Sequence, residues 1–302
     1  MAKLHDVKQQ NKQDIIKLLF LEKILSKKRI ALTLGLSFAS LTNLCRELLE
    51  EGLIIEKEAI ISKKAGRREI ALEINKNFKR IIGVTINPEV TTIIVSDLSF
   101  TILKKVVMRT QPLGEPHFDS IINVIHKISS NLLLSSLNTL GICISIYGNT
   151  DGIYAYNGIW SVPTNVIEYL SSKLNLPVVM DNNTRCNAML EQIYSTNADF
   201  IFIKYIEAGI SGAVVSNGVI LYGQDNNIAD IGHTIVNISG EYCDICKRKG
   251  CLEKTISMET ILSFAKEHFH SDPIIMSLCN NDSDNITMNK IIEAVELGSI
   301  IE

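Results

Sequence analysis

Four residues that bind soft metals lie close together in the stretch "GHTIVNISGEYCDICKRKGCLE": His233, Cys243, Cys246 and Cys251. Imidazole nitrogen and thiolate sulfur suit tetrahedral zinc, and four protein ligands leave no open position for a catalytic water. The spacing therefore predicts a closed, structural zinc site. A redox pair would use only Cys243 and Cys246, leaving the third cysteine and the histidine without a task. A disulfide fits poorly with a reducing compartment. Gly240 and Gly250 give the tight turns that a small chelating loop needs.

The elements that must hold this loop belong to a folded, water-soluble composition. Of 302 residues, 46% are hydrophobic and 21% charged, with six prolines. That is rich enough in apolar residues for a core and too rich for a disordered chain. The longest apolar runs, such as "GICISIYG", have strand length, and the start "MAKLHDVKQQNKQD" is polar. Neither a membrane span nor a leader peptide is expected, which places the protein in the cytoplasm. The remaining cysteines, Cys45, Cys143, Cys186 and Cys279, stand singly and read as small buried hydrophobes.

Charge is divided unevenly along the chain. Met1–Arg80 carries 17 Lys and Arg against 10 Asp and Glu, and the remainder carries 13 against 23. A basic front on an acidic body points to an anionic partner for the front.

Within that front, "QDIIKLLFLEKIL" at residues 13–25 has the apolar spacing of a helix, followed by a short helix at 27–34. Gly35 can end the short helix, and Ser37 can cap the next. The pattern turns Ile30, Ala31, Leu34, Leu36, Leu41, Leu44 and Leu48 inward. Phe38, Ala39, Thr42, Asn43 and Arg46 are left outward, and with Ser37 and Ser40 they form the face that a recognition helix lays in a major groove. Two strands follow around "KKAGRR", whose Lys63, Lys64, Arg67 and Arg68 read as a wing tip that contacts phosphates. DNA binding is expected; a merely basic three-helix core is the alternative.

After Arg80 the pattern becomes a run of strands and then alternating strands and helices, an α/β arrangement. Four segments of the chain resemble the ROK family of sugar kinases and sugar-responsive repressors, over about Asp14 to Glu253. "AGRREIALEIN" is similar to the wing leading into the body. "GICISIYGNTDGIY" is similar to the family's turn, with Tyr147 in place of proline. "LPVVMDNNTRCNAMLE" resembles the sugar-binding segment. "ADIGHTIVN" with "CDICKRKGCLE" resembles the Glu-x-Gly-His and cysteine-rich signature, although Cys243-Asp-Ile-Cys246 has one residue more between its cysteines than the family's usual pair.

The resemblance implies a winged helix-turn-helix at 1–76. It implies an actin-like, ribonuclease H-like sugar-kinase body at 77–302, with lobes 77–195 and 196–302. Because the chain ends at "IIEAVELGSIIE", the second lobe is expected to be incomplete. By resemblance Asn182, Asn183, Asp230, His233 and Glu253 grip a sugar or sugar phosphate. Asp230 stands where the family usually has glutamate. The proton acceptor of the kinases falls on Asn183, and an amide takes no proton at neutral pH. Both phosphate loops are altered, at Thr85–Glu89 and Glu207–Ser211, and the expected protein is not an enzyme. Its expected partners are an operator and a sugar effector, bound by a homodimer or homotetramer whose DNA heads shift between two placements. A sugar kinase and a ligand-independent DNA-binding protein are the rival readings.

Overall fold

The computed structural model describes residues 2–60, 69–112, 114–157, 160–195, 197–206, 209–223, 228 and 230–299. The chain forms two compact units, Met1–Cys186 and Asn187–Glu302.

The first unit begins with helix α1 (Ala2–Glu22), strand β1 (Ile24–Ser26), helices α2 (Lys27–Leu34) and α3 (Phe38–Glu50), and strands β2 (Ile54–Ile60) and β3 (Glu69–Ile74). Ser26 caps α2 by accepting a hydrogen bond from the Arg29 amide, and Gly35 closes it with φ 65°. Ser37 then caps α3 by accepting from the Ser40 amide. Ile15, Leu19, Ile30, Leu41, Leu44, Cys45 and Leu48 are buried between these elements. Leu34 and Leu36, expected to face inward, are half-buried.

One boundary differs from the sequence reading. The periodicity of residues 13–25 suggests a helix through Leu25, but α1 ends at Glu22 because Lys23 turns left-handed, with φ 69°. Ile24–Ser26 then joins a sheet of order β1-β3-β2, pairing Leu25 with Leu72. Tertiary pairing overrides the local period here. The wing-tip residues Lys63, Lys64, Arg67 and Arg68 lie outside the described residues.

The body of this unit contains strands β4 (Arg80–Ile86), β5 (Val90–Asp97) and β6 (Ile102–Arg109), helix α4 (Glu115–Leu132), and strands β7 (Thr139–Ile146), β8 (Asn149–Thr150), β9 (Tyr154–Asn157) and β10 (Trp160–Asn165). Helix α5 (Val166–Leu174), strand β11 (Val178–Asn182) and helix α6 (Asn183–Tyr194) follow, the last leading into the second unit. The main sheet has order β11-β7-β4-β5-β6. β4, β7 and β11 run parallel, whereas β5 and β6 are antiparallel to their neighbours. Phe118, Ile121, Ile125 and Ile128 of α4 bury one face against Ile82, Val84, Ile93 and Ile144. Cys143 faces the other side and is exposed, contrary to its expected burial, because side chains alternate along β7.

The register fixes two ends of this sheet. Arg80 pairs with Asp97 and Thr139 at one end, and Ile86, Ile146 and Asn182 line up at the other. Six strand steps separate the ends, about 20 Å.

The second unit holds strands β12 (Phe200–Ile206), β13 (Gly209–Ser216) and β14 (Val219–Ile220) in one antiparallel sheet, and then helices α7 (Leu252–Ile256), α8 (Met258–Glu267), α9 (Pro273–Leu278) and α10 (Met288–Glu296). Ala265, Phe269, Ile275, Cys279, Ile291 and Ala294 form the core of those helices. Among the described residues, no helix is long and apolar enough to cross a membrane.

Candidate metal centre and ligand-binding residues

The ligand atoms of His233, Cys243, Cys246 and Cys251 all lie within 4.8 Å of one another. In a tetrahedral zinc–thiolate set neighbouring sulfurs are about 3.8 Å apart, so the four stand close enough together to hold a metal ion. Cys243 Sγ is 3.8 Å from His233 Nδ1, so the cysteine with the unusual spacing belongs to the cluster. Cys243 and Cys251 are buried, and the other two are half-buried. Burial pushes the Cys251 thiol up. Cys246 is pulled down despite its burial, since the backbone N–H of Arg248 donates to it.

Backbone contacts hold the four in place. Cys243 N donates to Arg248 O at 2.8 Å, and Lys247 N donates to Cys243 O at 2.9 Å, closing the knuckle between the cysteine pair. Lys247 is left-handed, with φ 57°. Arg248 Nη2 donates to the His233 carbonyl at 3.0 Å. Val236 N and Asn237 N both donate to Gly250 O, and Ile235 bridges to Cys251. Gly250 has φ 71°, and a Cβ there would collide with the Asn237 carbonyl.

Glu253 lies in the first turn of α7, immediately after this cluster. Its Oε2 is 2.7 Å from the place where a Cβ on Gly209 would stand and 2.9 Å from the corresponding place on Gly232. The two glycines thus make room for the carboxylate. Asp230 precedes the short turn that carries His233 and is exposed; its side chain makes no cap. The structure gathers His233 and Glu253 around Gly232, in the second unit.

The other two expected sugar residues belong to the first unit. Asn182 ends β11 with its amide committed: Oδ1 accepts from Thr184 N at 2.8 Å and Arg185 N at 3.2 Å, and Nδ2 donates to Gly148 O at 2.8 Å. It caps α6 and ties β11 to the Tyr147–Gly148 turn. Asn183 is 5% exposed; its Oδ1 accepts from Thr184 Oγ1 at 3.3 Å, and its Nδ2 has no partner among the described residues. An unsatisfied buried amide nitrogen costs about 1–3 kcal/mol, which a ligand acceptor would recover. The sequence reading did not single out the buried arginine two residues on. Arg185, 6% exposed, donates through Nε to Asp181 Oδ1 at 2.6 Å and through Nη2 to Thr150 O at 3.2 Å. An aspartate four residues before an arginine was the available signal, obscured because Asp181 lies in a strand.

The two segments expected to be altered phosphate loops belong to β-hairpins where they are described. Thr85 and Ile86 end β4, and Asn87 N donates to Val90 O across a tight hairpin. Gly209, Ile210 and Ser211 pair with Ile206, Tyr205 and Lys204 inside the β12–β13 ladder. Glu207 and Ala208 lie outside the described residues.

On α3, Phe38 is 60% exposed, and Ser40, Thr42, Asn43 and Arg46 are exposed beside it. Two of these are held by their own helix. Thr42 Oγ1 donates to Phe38 O, and Arg46 Nη2 donates to Asn43 Oδ1 at 3.4 Å. The flank of α3 next to this face is clamped by residues the sequence reading did not single out. Lys12 Nζ is 2.8 Å from Glu47 and 2.6 Å from Glu51, and Lys8 is 2.7 Å from Glu47. Hydrogen bonds from Lys12 and Lys8 hold the Glu47 carboxyl down at about 2.

Residues 81–301 match the ROK family. A xylose repressor of Caldicellulosiruptor bescii is 27% identical over 97% of this chain and 75% of its own length. The DNA-binding transcriptional dual regulator NagC of Escherichia coli is 26% identical over 98% of this chain and 77% of its own. Among solved structures, a ROK family transcriptional regulator described as a homolog of the E. coli MLC protein superposes with a TM-score of 0.77 at 20% identity, over 98% of this chain and 75% of that one. A ROK family glucokinase from Streptomyces griseus, in complex with glucose and AMPPNP, gives 0.56 at 22% identity, over 74% and 72%. The mixed α/β architecture is the one these proteins share.

Proposed function

Because the chain belongs to the ROK family, we propose that it acts as a sugar-responsive transcriptional repressor: a winged helix-turn-helix at its front reads an operator, and the body behind it senses a carbohydrate. One observation carries this reading. Similarity to the regulator extends over 98% of the chain and to the glucokinase over 74%, a difference the size of the Ala2–Ile74 segment. That segment presents the exposed polar face of α3 and the excess of cations, which suit a major groove and its phosphates.

In the body, Asn183, Asp230, His233 and Glu253 supply the sugar contacts, with Asn182 capping α6 next to Asn183. Amides and carboxylates are suited to paired hydroxyls. Asn183 offers an amide where a kinase needs a base, so the reading is of a binder without turnover. His233, Cys243, Cys246 and Cys251 would hold a zinc ion, which cross-links the loop when bound. The clasp then sets the position of His233 and of Glu253 two residues past Cys251. Sugar binding favours one of two placements of the heads in a dimer or tetramer.

The test is a gel-shift titration of the full chain on DNA from carbohydrate operons, with and without a panel of free and phosphorylated sugars. A shifted operator complex that one sugar weakens or strengthens is expected. No specific DNA complex, or ATP-dependent phosphorylation of a hexose, overturns the reading.

A further inference from the structure

Two bulky residues stand in the left-handed backbone region at the same spot of the first unit. Lys23, with φ 69°, ends α1, and Phe100, with φ 63°, sits at the tip of the β5–β6 hairpin. Such φ values suit glycine or asparagine, and a Cβ-bearing bulky side chain persists there where its surroundings repay the strain. Both side chains pack on one ring. The Phe100 ring lies 5.0 Å from that of Phe20 at 61°, and Lys23 Nζ is 4.6 Å from the Phe20 centroid. Edge-to-face aromatic contact and a cation over a ring are both attractive.

The hairpin tip is stiff. Asp97 Oδ1 accepts from Ser99 N at 2.8 Å, Ser99 Oγ at 2.7 Å and Thr101 N at 3.1 Å, and Phe100 N donates to Asp97 O. The connector at residues 75–79 is packed as well. Asn75 bonds to Gly52 O and Leu53 O, and a Cβ on Gly52 would meet the Phe78 ring. Beside the aromatic pair lies a cavity of about 130 Å³, lined by Leu19, Phe20, Ile24 and Ile74 on one side and Ser99 on the other.

We infer that Phe100 is a positioning residue: it seats the DNA-binding head on the first lobe, so that the head moves with the β5–β6 hairpin instead of swinging on the connector. The cavity beside the contact gives the head room to rock about Phe20 without losing it. This rests on the reading of Ala2–Ile74 as a DNA head.

The experiment uses the full chain with spin labels on non-natural side chains at exposed Leu32 in the head and exposed Leu137 in the lobe. A narrow distance distribution is expected for the wild type. Phe100→Gly relieves the backbone and removes the ring, so its distribution should widen toward the ~12 Å scale of a free five-residue tether. Phe100→Tyr should restore the narrow distribution. If Phe100→Gly loses its helical circular dichroism, Phe100→Asn, which also accepts the left-handed backbone, replaces it. A broad wild-type distribution, or a glycine or asparagine variant as narrow as wild type, overturns the inference. A gel shift on the same samples separates the two ideas: narrow distances without DNA binding would leave the seat standing and sink the DNA reading.

Discussion

The carbonyl oxygen of Asn237 occupies the space that a Cβ on Gly250 would need, while the Gly250 carbonyl accepts the amides of Val236 and Asn237. Glycine is therefore required just before the third cysteine, where the Val236–Asn237 segment faces it. Gly250→Ala combines a left-handed φ with a backbone collision. It should destabilise the second unit by more than about 2 kcal/mol and lower bound zinc. Thermal unfolding and elemental analysis check this, and a variant with wild-type melting and zinc content would contradict it.

Zinc itself is expected at one equivalent in freshly purified protein. Cys246→Ser should reduce it below about half an equivalent, and a strong chelator should lower the melting temperature of wild type but hardly that of the variant. Equal chelator sensitivity of the two would argue against the four-ligand site.

The Lys12–Glu47 pair makes the head sensitive to acid. Glu47 is held at about 2, below its ordinary 4.5, so its contribution is complete above 4.5 and is lost as the pH falls toward 2. Lys12→Met should flatten the acid side of the melting curve between those values. Melting temperatures of head-only signals, read from pH 2 to 6, provide the check.

His117 acts in the opposite part of the titration range. It is fully buried, with Nε2 3.0 Å from Thr91 Oγ1, and Gln111 N donates to Nδ1 at 3.4 Å. Burial lowers its pKa from the ordinary 6.5, so the folded chain holds it neutral. The unfolded chain protonates first as pH falls below 6.5, and stability should decline from that point. His117→Gln should remove this slope; persistence of the full slope would assign it elsewhere.

For DNA, Arg46→Ala should weaken operator binding and reduce its salt dependence by about one counterion. Unchanged affinity at every salt concentration would move the contact surface off α3.

What the sequence revealed and what it hid follow from distance along the chain. The His233, Cys243, Cys246 and Cys251 cluster was legible because soft donors within 19 positions have few other uses. The capped turn at Gly35 and Ser37 was legible because caps are local. The end of α1 was not: Ile24 and Leu25 continue the apolar period, and only pairing with β3 shows them to be strand. Nor could local spacing join Lys12 to Glu47, Phe20 to Phe100, or Arg185 to Thr150. Asn182 was read as a sugar contact, and its amide serves as a cap, a role fixed by Gly148 far upstream.

Because the head joins the sheet at the Arg80–Asp97 end and Asn182 and Asn183 stand at the far end, a graft of this head onto another sensor has a defined seam. Cutting between Ile74 and Arg80 would transplant Phe20 without its counterpart. A working chimera must carry the Asp97–Thr101 hairpin tip across with it, as a plug travels with its socket.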